Sequence, residues 1–373
     1  MKRKVLFLIE SLAGGGAEKV LTTLVQHIDE TKFDVTVCAI KGGGVYEEEV
    51  KKSVKYKTIL FEPKRRGTLS RLAYTIIYHL VYYWLPLSWV YKLFIPKRFD
   101  VEIAFIEGFS TKLLSRSTNK RAKKIAWVHV DLKQRPWPIL TKVYKNIDEE
   151  KLAYSRYNSV VCVSHSVENV MIQDYGLQHT CTIYNPLDEE RVRSYATQNI
   201  TWNIDYSKYN IVSVGRLEKQ KGYDLLLPII QRLRNEGRNV HLWLIGEGTQ
   251  RAALESQAIN LGLSDNVTFT GFVSNPYSLM SKMSLFVCSS RAEGFSLVIA
   301  EALILGMPVV SMNCSGPNEL LKNNKECLCD TYDELHDKIS KAIMHQNCFK
   351  DLKRPDFLIL PSVMGKIHDL LIR

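Results

Sequence analysis

The chain alternates unbroken apolar runs with longer stretches of helical periodicity, and it does so twice. Residues 5–9 form an apolar run, followed by glycines and by apolar positions at helical spacing from about 17 to 28. Residues 33–40, 101–105, 124–128 and 160–163 predict further buried strands, and 182–184 a short one closed by Asn185-Pro186. Ser164 and Ser166 stand where a helix through Val170 would be capped. In the second half, 211–214, 240–245, 267–270, 285–288 and 308–311 predict strands, while 223–234, 250–261 and 297–305 predict helices. Such alternation implies parallel sheets covered on both faces. Two such series imply an α/β chain of two Rossmann-like domains facing a cleft, joined through the polar stretch near 188–208. The expected limits are 1–187 and 188–355, with a C-terminal helix over 356–373 as a candidate return to the first domain.

Length and composition narrow the class. At 373 residues the chain exceeds one ordinary core, and 46% apolar with 24% charged residues excludes a disordered or collagen-like polymer. Eight cysteines without a CxxC fit neither a disulfide scaffold nor a structural zinc site, and read as free thiols of a reducing cytoplasm. Only five apolar residues follow Met1-Lys2-Arg3-Lys4, which reads as a first strand rather than an export signal.

The net charge of +11 is local. Between Lys51 and Lys124 there are 17 basic residues against four acids. Inside that window, 72–94 holds Tyr74, Tyr78, Tyr82, Tyr83, Trp84, Trp89, Tyr91 and Phe94, with Lys92 its only formal charge. Lys64-Arg65-Arg66 and Arg71 precede it and Lys97-Arg98 follow. Tyr74, Tyr78 and Tyr82 fall on one helical stripe. The segment 64–98 therefore reads as an amphipathic stretch on an anionic membrane surface, bent at Pro86, with a packed helix of the first domain as the alternative. His79, Pro86 and Ser88 interrupt it too often for a spanning helix. Nucleic acid is disfavoured, because the rings sit in an aliphatic run rather than as spaced stacking platforms.

Gly14-Gly15-Gly16 follows the first strand and opens a helix, where a ligand could approach the backbone and an anion the helix start. Lys19 occupies the place of the third glycine of a dinucleotide fingerprint, and no GxxxxGK[ST] occurs. The stronger signal is Glu293-Gly294-Phe295-Ser296-Leu297 between a strand and a helix, with Glu301 eight residues after Glu293. If that helix begins near Gly294, the two carboxylates can share a face, and the N–H groups of 294–297 point at a ligand. Arg216 and Lys221 follow another strand, and two cations at the mouth of a sheet suit a diphosphate.

These residues carry a resemblance. Gly215-Arg216-Leu217 through Lys219-Gln220-Lys221-Gly222 resembles the G-R-x-x-x-x-K-G loop of the retaining glycosyltransferases of family 4, which have the GT-B fold. Glu293 through Glu301-Ala302 is similar to that family's E-x7-E element, and Ser315-Gly316-Pro317-Asn318-Glu319 to the segment downstream of that element. Gly14-Gly15-Gly16-Ala17-Glu18, Trp127-Val128-His129, Val163-Ser164-His165-Ser166 and Asn185-Pro186 match in order. Asn323-Asn324-Lys325 departs from the family's glycine-rich turn.

The resemblance implies that Arg216 and Lys221 clamp a donor pyrophosphate, and that Glu293 and the 294–297 backbone hold the sugar. It implies that Glu301 binds the ribose, and that Phe272 and Val273 border the base. Gly15 and Gly16 approach the phosphates, and His129 sits near the reacting carbon. Glu107 is a candidate for the acceptor pocket. No Asp-x-Asp and no motif for a pyridoxal phosphate lysine occur, so the expected reaction needs neither metal nor cofactor. The expected substrates are a nucleotide sugar, commonly a UDP-sugar, and a lipid-linked saccharide of surface-polysaccharide assembly at the cytoplasmic membrane face. A GT-B phosphorylase, a nucleotide-sugar epimerase and a non-catalytic nucleotide binder remain as alternatives.

Overall fold

The computed structural model describes residues 1–61, 68–96, 98–345, 348–350 and 352–372. The chain divides into two compact units, Met1–Pro186 with Ile359–Arg373, and Leu187–Leu358.

The first unit is built on a parallel sheet of β1 (Arg3–Ile9), β2 (Phe33–Lys41), β3 (Lys55–Leu60), β4 (Val101–Ala104), β5 (Lys123–Val128), β6 (Ser159–Cys162) and β7 (Thr180–Thr182). Their order is β3-β2-β1-β4-β5-β6-β7, with every neighbouring pair parallel. Central strands such as β1 and β5 begin with two basic residues and continue as unbroken buried apolar runs, 5–9 and 125–128, as strands covered on both faces do. The helix Gly16–Gln26 buries Val20, Leu21, Leu24 and Val25, the side that packs. The helix Leu360–Ile372 also belongs to this unit. It buries Val363, Met364, Ile367 and Leu371, sets His368 against Phe33 at 5.4 Å, and accepts the Lys123 ammonium on the Leu370 carbonyl at 2.9 Å.

The second unit holds β8 (Tyr209–Val214), β9 (Val240–Ile245), β10 (Val267–Gly271), β11 (Leu285–Cys288), β12 (Val309–Met312) and β13 (Leu328–Cys329). They are all parallel, in the order β10-β9-β8-β11-β12-β13. In both sheets the strand order reverses once, between β1 and β4 and between β8 and β11. The loops that leave these strand pairs part in opposite directions, and the gap between them is where open α/β sheets bind ligands.

Several local readings change. β3 and β13 escape the apolar pattern: β3 is an edge strand with polar alternation, and β13 has two residues. β7 lies at Thr180–Thr182, ahead of the expected 182–184. Asp188, read as linker, caps the helix Glu189–Ala196 by accepting from the Arg191 N–H at 2.9 Å. The helix after Glu293 begins at Leu297, not near Gly294, so Glu293 lies in a loop and does not share a helix face with Glu301.

The aromatic segment forms a helix Thr68–His79, a π-helical turn Leu80–Trp84, a break at Leu85-Pro86 and a helix Leu87–Phe94. Val81, Val90 and Tyr91 are buried anchors, whereas Leu72, Ile76, Ile77, Tyr83, Trp84, Trp89 and Leu93 are exposed. The flanking Lys64-Arg65-Arg66 and Lys97 lie outside the described residues. Among the described residues no helix is long and apolar enough to cross a membrane.

Candidate active site

In the second unit the strand-order reversal brings two distant loops together. Lys221 leaves the loop after β8, Glu293 the loop after β11, and the Lys221 Nζ donates to Glu293 Oε1 at 2.6 Å. Ser290 Oγ donates to the same oxygen at 2.7 Å. The loops are stitched along their length. Ser289 Oγ donates to the Lys221 carbonyl at 2.8 Å, Gln220 Nε2 to the Ala292 carbonyl at 2.6 Å, and the Arg291 N–H to the Gln220 carbonyl at 2.8 Å. Arg291 also grips Asp224 with two parallel bonds of 2.7 and 2.8 Å. Gly222 has φ +68°, and a Cβ there would run into the Ser289 carbonyl oxygen, so only glycine allows this approach.

Burial lowers the proton affinity of Lys221, but the Glu293 carboxylate more than offsets it and holds the ammonium's pKa above its ordinary value. Lys221 is therefore a fixed cation. Arg216, five residues earlier, is exposed, and its guanidinium makes no ion pair among the described residues. Gly294, Phe295 and Ser296 are buried behind Glu293, and Leu297 is half-buried. Ser296 adopts a left-handed backbone (φ 68°), and its buried hydroxyl has no hydrogen-bond partner among the described residues. Glu301, 1% exposed, accepts from the Tyr277 hydroxyl at 3.2 Å. Phe272 and Val273 follow β10, with Phe272 47% exposed. Among the described residues no group of three or more His, Cys, Asp or Glu is placed to hold a metal ion.

In the first unit, Glu107 follows β4 and is 1% exposed. Its Oε1 accepts the backbone N–H of His129 and, at 2.8 Å, that of Val130, so it ties down the turn after β5. Burial pushes its carboxyl up to about 7, against the pull of those donors. Burial also pushes His129 down to about 3, so the imidazole is neutral. Its ring lies 5.0 Å from that of Phe105, and its Nε2 is buried with no partner among the described residues. Gly15 caps the helix Gly16–Gln26, and a Cβ there would meet the carboxylate of Glu18, which curls over the helix start.

Comparison with known proteins falls along the same division. Residues 14–191 match the family model Glycosyltransferase Family 4, and 196–354 match Glycosyl transferases group 1. The second match contains the β8/β11 reversal, and the first begins just after β1 and contains β4.

The chain carries both domains of a GT-B glycosyltransferase.

The crystal structure of Anabaena HepE in complex with UDP and glucose superposes on this GT-B chain with a TM-score of 0.76, at 20% identity over 99% of each chain. A Campylobacter jejuni protein named GalNAc-alpha-(1->4)-GalNAc-alpha-(1->3)-diNAcBac-PP-undecaprenol alpha-1,4-N-acetyl-D-galactosaminyltransferase is 23% identical over 94% of this chain and 91% of its own. A second from that organism, N-acetylgalactosamine-N,N'-diacetylbacillosaminyl-diphospho-undecaprenol 4-alpha-N-acetylgalactosaminyltransferase, is 32% identical over 42% of this chain and 41% of its own. The matches to the first curated relatives span only about a third of those relatives' length.

The site also includes residues not assigned a role from the sequence. Ser290 and Gln220 position the Lys221–Glu293 pair, and Tyr277 holds Glu301. A polar residue three before Glu293 is a recoverable hint for Ser290. Tyr277 offers none, because it reaches Glu301 from a separate short helix, Pro276–Met280.

Glu107 gives a pH test. Its raised pKa means that the native state keeps the proton while the unfolded chain has lost it, between about 4.5 and 7. Stability therefore falls as pH rises through that window. Glu107→Gln keeps an acceptor oxygen for the two N–H groups and removes the charge. Unfolding free energies from urea titrations should then fall less steeply, by up to about 1.4 kcal/mol per pH unit. Glu150, buried and likewise pushed up to about 7, leaves a residual slope. Identical slopes in variant and parent would contradict a buried, protonatable Glu107.

Proposed function

We propose that the protein transfers a sugar from a nucleoside-diphosphate sugar, a UDP-sugar in the first instance, to a lipid-linked saccharide, with retention at the anomeric carbon and without a metal. The observation that carries this is the Lys221–Glu293 pair at the β8/β11 reversal, with the exposed Arg216 in the same loop. Departure of a nucleoside diphosphate builds negative charge on its terminal phosphate. A fixed ammonium and a guanidinium stabilise that charge where it develops, which is the largest lever available to such a transfer. Glu293, held by Lys221 and Ser290, presents carboxylate lone pairs to sugar hydroxyls. The 294–297 backbone lines the same site, Glu301 takes the ribose, and Phe272 and Val273 flank the base.

In this reading the first unit serves the acceptor. Glu107 positions the turn that bears His129, and the neutral imidazole lies near the reacting carbon. Gly15 and Gly16 open a helix start that suits an anion, which has to displace the Glu18 carboxylate. The names of the Campylobacter relatives support a lipid diphosphate acceptor, and the HepE complex supports a uridine donor. The exposed Leu72, Ile76, Trp84, Trp89 and Leu93 support contact with an anionic membrane surface at the cytoplasmic face, where such acceptors reside.

Four outcomes are expected. Lys221→Ala lowers turnover of the UDP-sugar at least a hundredfold and destabilises the fold by about 3 kcal/mol, because Glu293 loses its partner. Lys221→Ala with Glu293→Gln regains stability without regaining turnover; recovery of turnover in the double variant would remove the cation's role. Activity persists in EDTA and the product anomer matches that of the donor by NMR; inversion, or loss restored by added metal, argues against the mechanism. Vesicles containing anionic lipid carry the protein upward in flotation, and Trp84→Ser with Trp89→Ser weakens this; equal recovery with neutral vesicles counts against the membrane surface.

A further inference from the structure

We propose that an open pocket of about 410 Å³ in the first unit, lined by Lys41, Tyr74, Thr75, Tyr78 and His79, is a subsite for a neutral pyranose of the acceptor saccharide. The proposal rests on the acceptor reading above and names where that saccharide is held.

The pocket's position follows from the sheet. Lys41 ends β2 and Glu10 follows β1, and the Lys41 N–H donates to the Glu10 carbonyl at 2.9 Å. The Tyr82 hydroxyl donates to the Glu10 carboxylate, and the Tyr82 ring stacks on Phe109, just after β4, at 4.1 Å. The pocket is thereby anchored to both strands of the β1/β4 reversal, the ligand-binding end of this sheet. Tyr82 reaches these groups from within the π-helical turn Leu80–Trp84, where Tyr83 and Trp84 are exposed. Such turns inside helices are frequent at functional sites.

Its chemistry selects the ligand. Tyr78 stacks on Tyr82 at 4.3 Å and lines the pocket, and Tyr74 stands one helical turn earlier. These rings offer flat apolar faces with hydroxyl tips, matched to a pyranose with one C–H face and a rim of hydroxyls. The Lys41 ammonium is already answered: it lies 3.1 Å from Glu10 and 5.3 and 5.2 Å over the Tyr78 and Tyr82 rings. The pair leaves a donor and an acceptor side by side and no surplus positive charge. That suits sugar hydroxyls better than a phosphate, and a lining of apolar ring faces mixed with polar groups suits a ring with one C–H face better than a wholly apolar acyl chain.

The test uses methyl glycosides of glucose, galactose, N-acetylglucosamine and N-acetylgalactosamine as probes, read by saturation-transfer NMR on the full chain. Saturable binding of at least one is expected, weakened at least tenfold by Tyr74→Ala. Tyr74 lies outside the ring stack, and a thermal midpoint equal to that of the parent establishes folding. Tyr78→Phe, which keeps the stack and removes one hydroxyl, should weaken binding by a smaller factor. Absence of glycoside binding, or undiminished binding in Tyr74→Ala, overturns the subsite. So does inorganic pyrophosphate binding that Tyr74→Ala abolishes while no glycoside binds. A UDP titration of the unaltered protein separates the two levels: UDP binding without a glycoside site sinks the pocket alone, and no UDP binding sinks the donor reading.

Discussion

The Lys221 ammonium and the Glu293 carboxylate meet at 2.6 Å with most of their hydration removed, and either left alone there would be costly. The second unit is arranged so that neither is. The partners are 72 residues apart, and only the reversal between β8 and β11 places their loops side by side. Ser289, Gln220 and Arg291 then bind one loop to the other, and Gly222 permits the closest approach. A charge pair held this rigidly is a poor source of net stability but a good preorganised field. Its orientation does not have to be found anew when a charged ligand arrives.

The same constraint explains what was legible in the sequence. Unbroken apolar runs such as 5–9 and 285–288 announce central parallel strands because both of their faces are covered. β3 and β13 are edge elements that need no such pattern, so they leave little trace. Arg216, Lys221, Glu293 and Glu301 stand out by residue type and spacing within their own loops. The bond between Lys221 and Glu293 does not, because it depends on strand order. Spacing also misleads at Glu301. Counting from Gly294 puts it on a face shared with Glu293, but the left-handed Ser296 delays the helix to Leu297, and Glu301 pairs with Tyr277 instead.

The aromatic segment divides in a way that a stripe of tyrosines only half reveals. Tyr78 and Tyr82 turn toward Lys41, Glu10 and Phe109, while Tyr83, Trp84 and Trp89 are exposed. Tyr82 keeps to the stripe of Tyr78 that helical spacing predicts, stacked on its ring, whereas the π turn that carries it cannot be read from side-chain spacing. One segment thus supplies both a wall for a polar pocket and an exposed apolar surface.

Charge separates the work of the two units. At the strand ends of the second, the decisive group is a fixed cation with an exposed guanidinium in the same loop. At the strand ends of the first, beside Lys41 and His129, stand three carboxylates, each already engaged: Glu10 with Lys41 and Tyr82, Glu18 over the Gly15 helix start, Glu107 with two backbone N–H groups. The net charge of +11 obscures this, because the 51–124 window of the first unit, with 17 basic against four acidic residues, carries more than the whole of it, and the strand ends of that unit nevertheless carry these acids. Cations meet phosphate, whereas engaged carboxylates accept hydroxyl protons without attracting anions. On the proposed reading, a diphosphate has its favourable field in the second unit, and a sugar rich in hydroxyls its acceptors in the first.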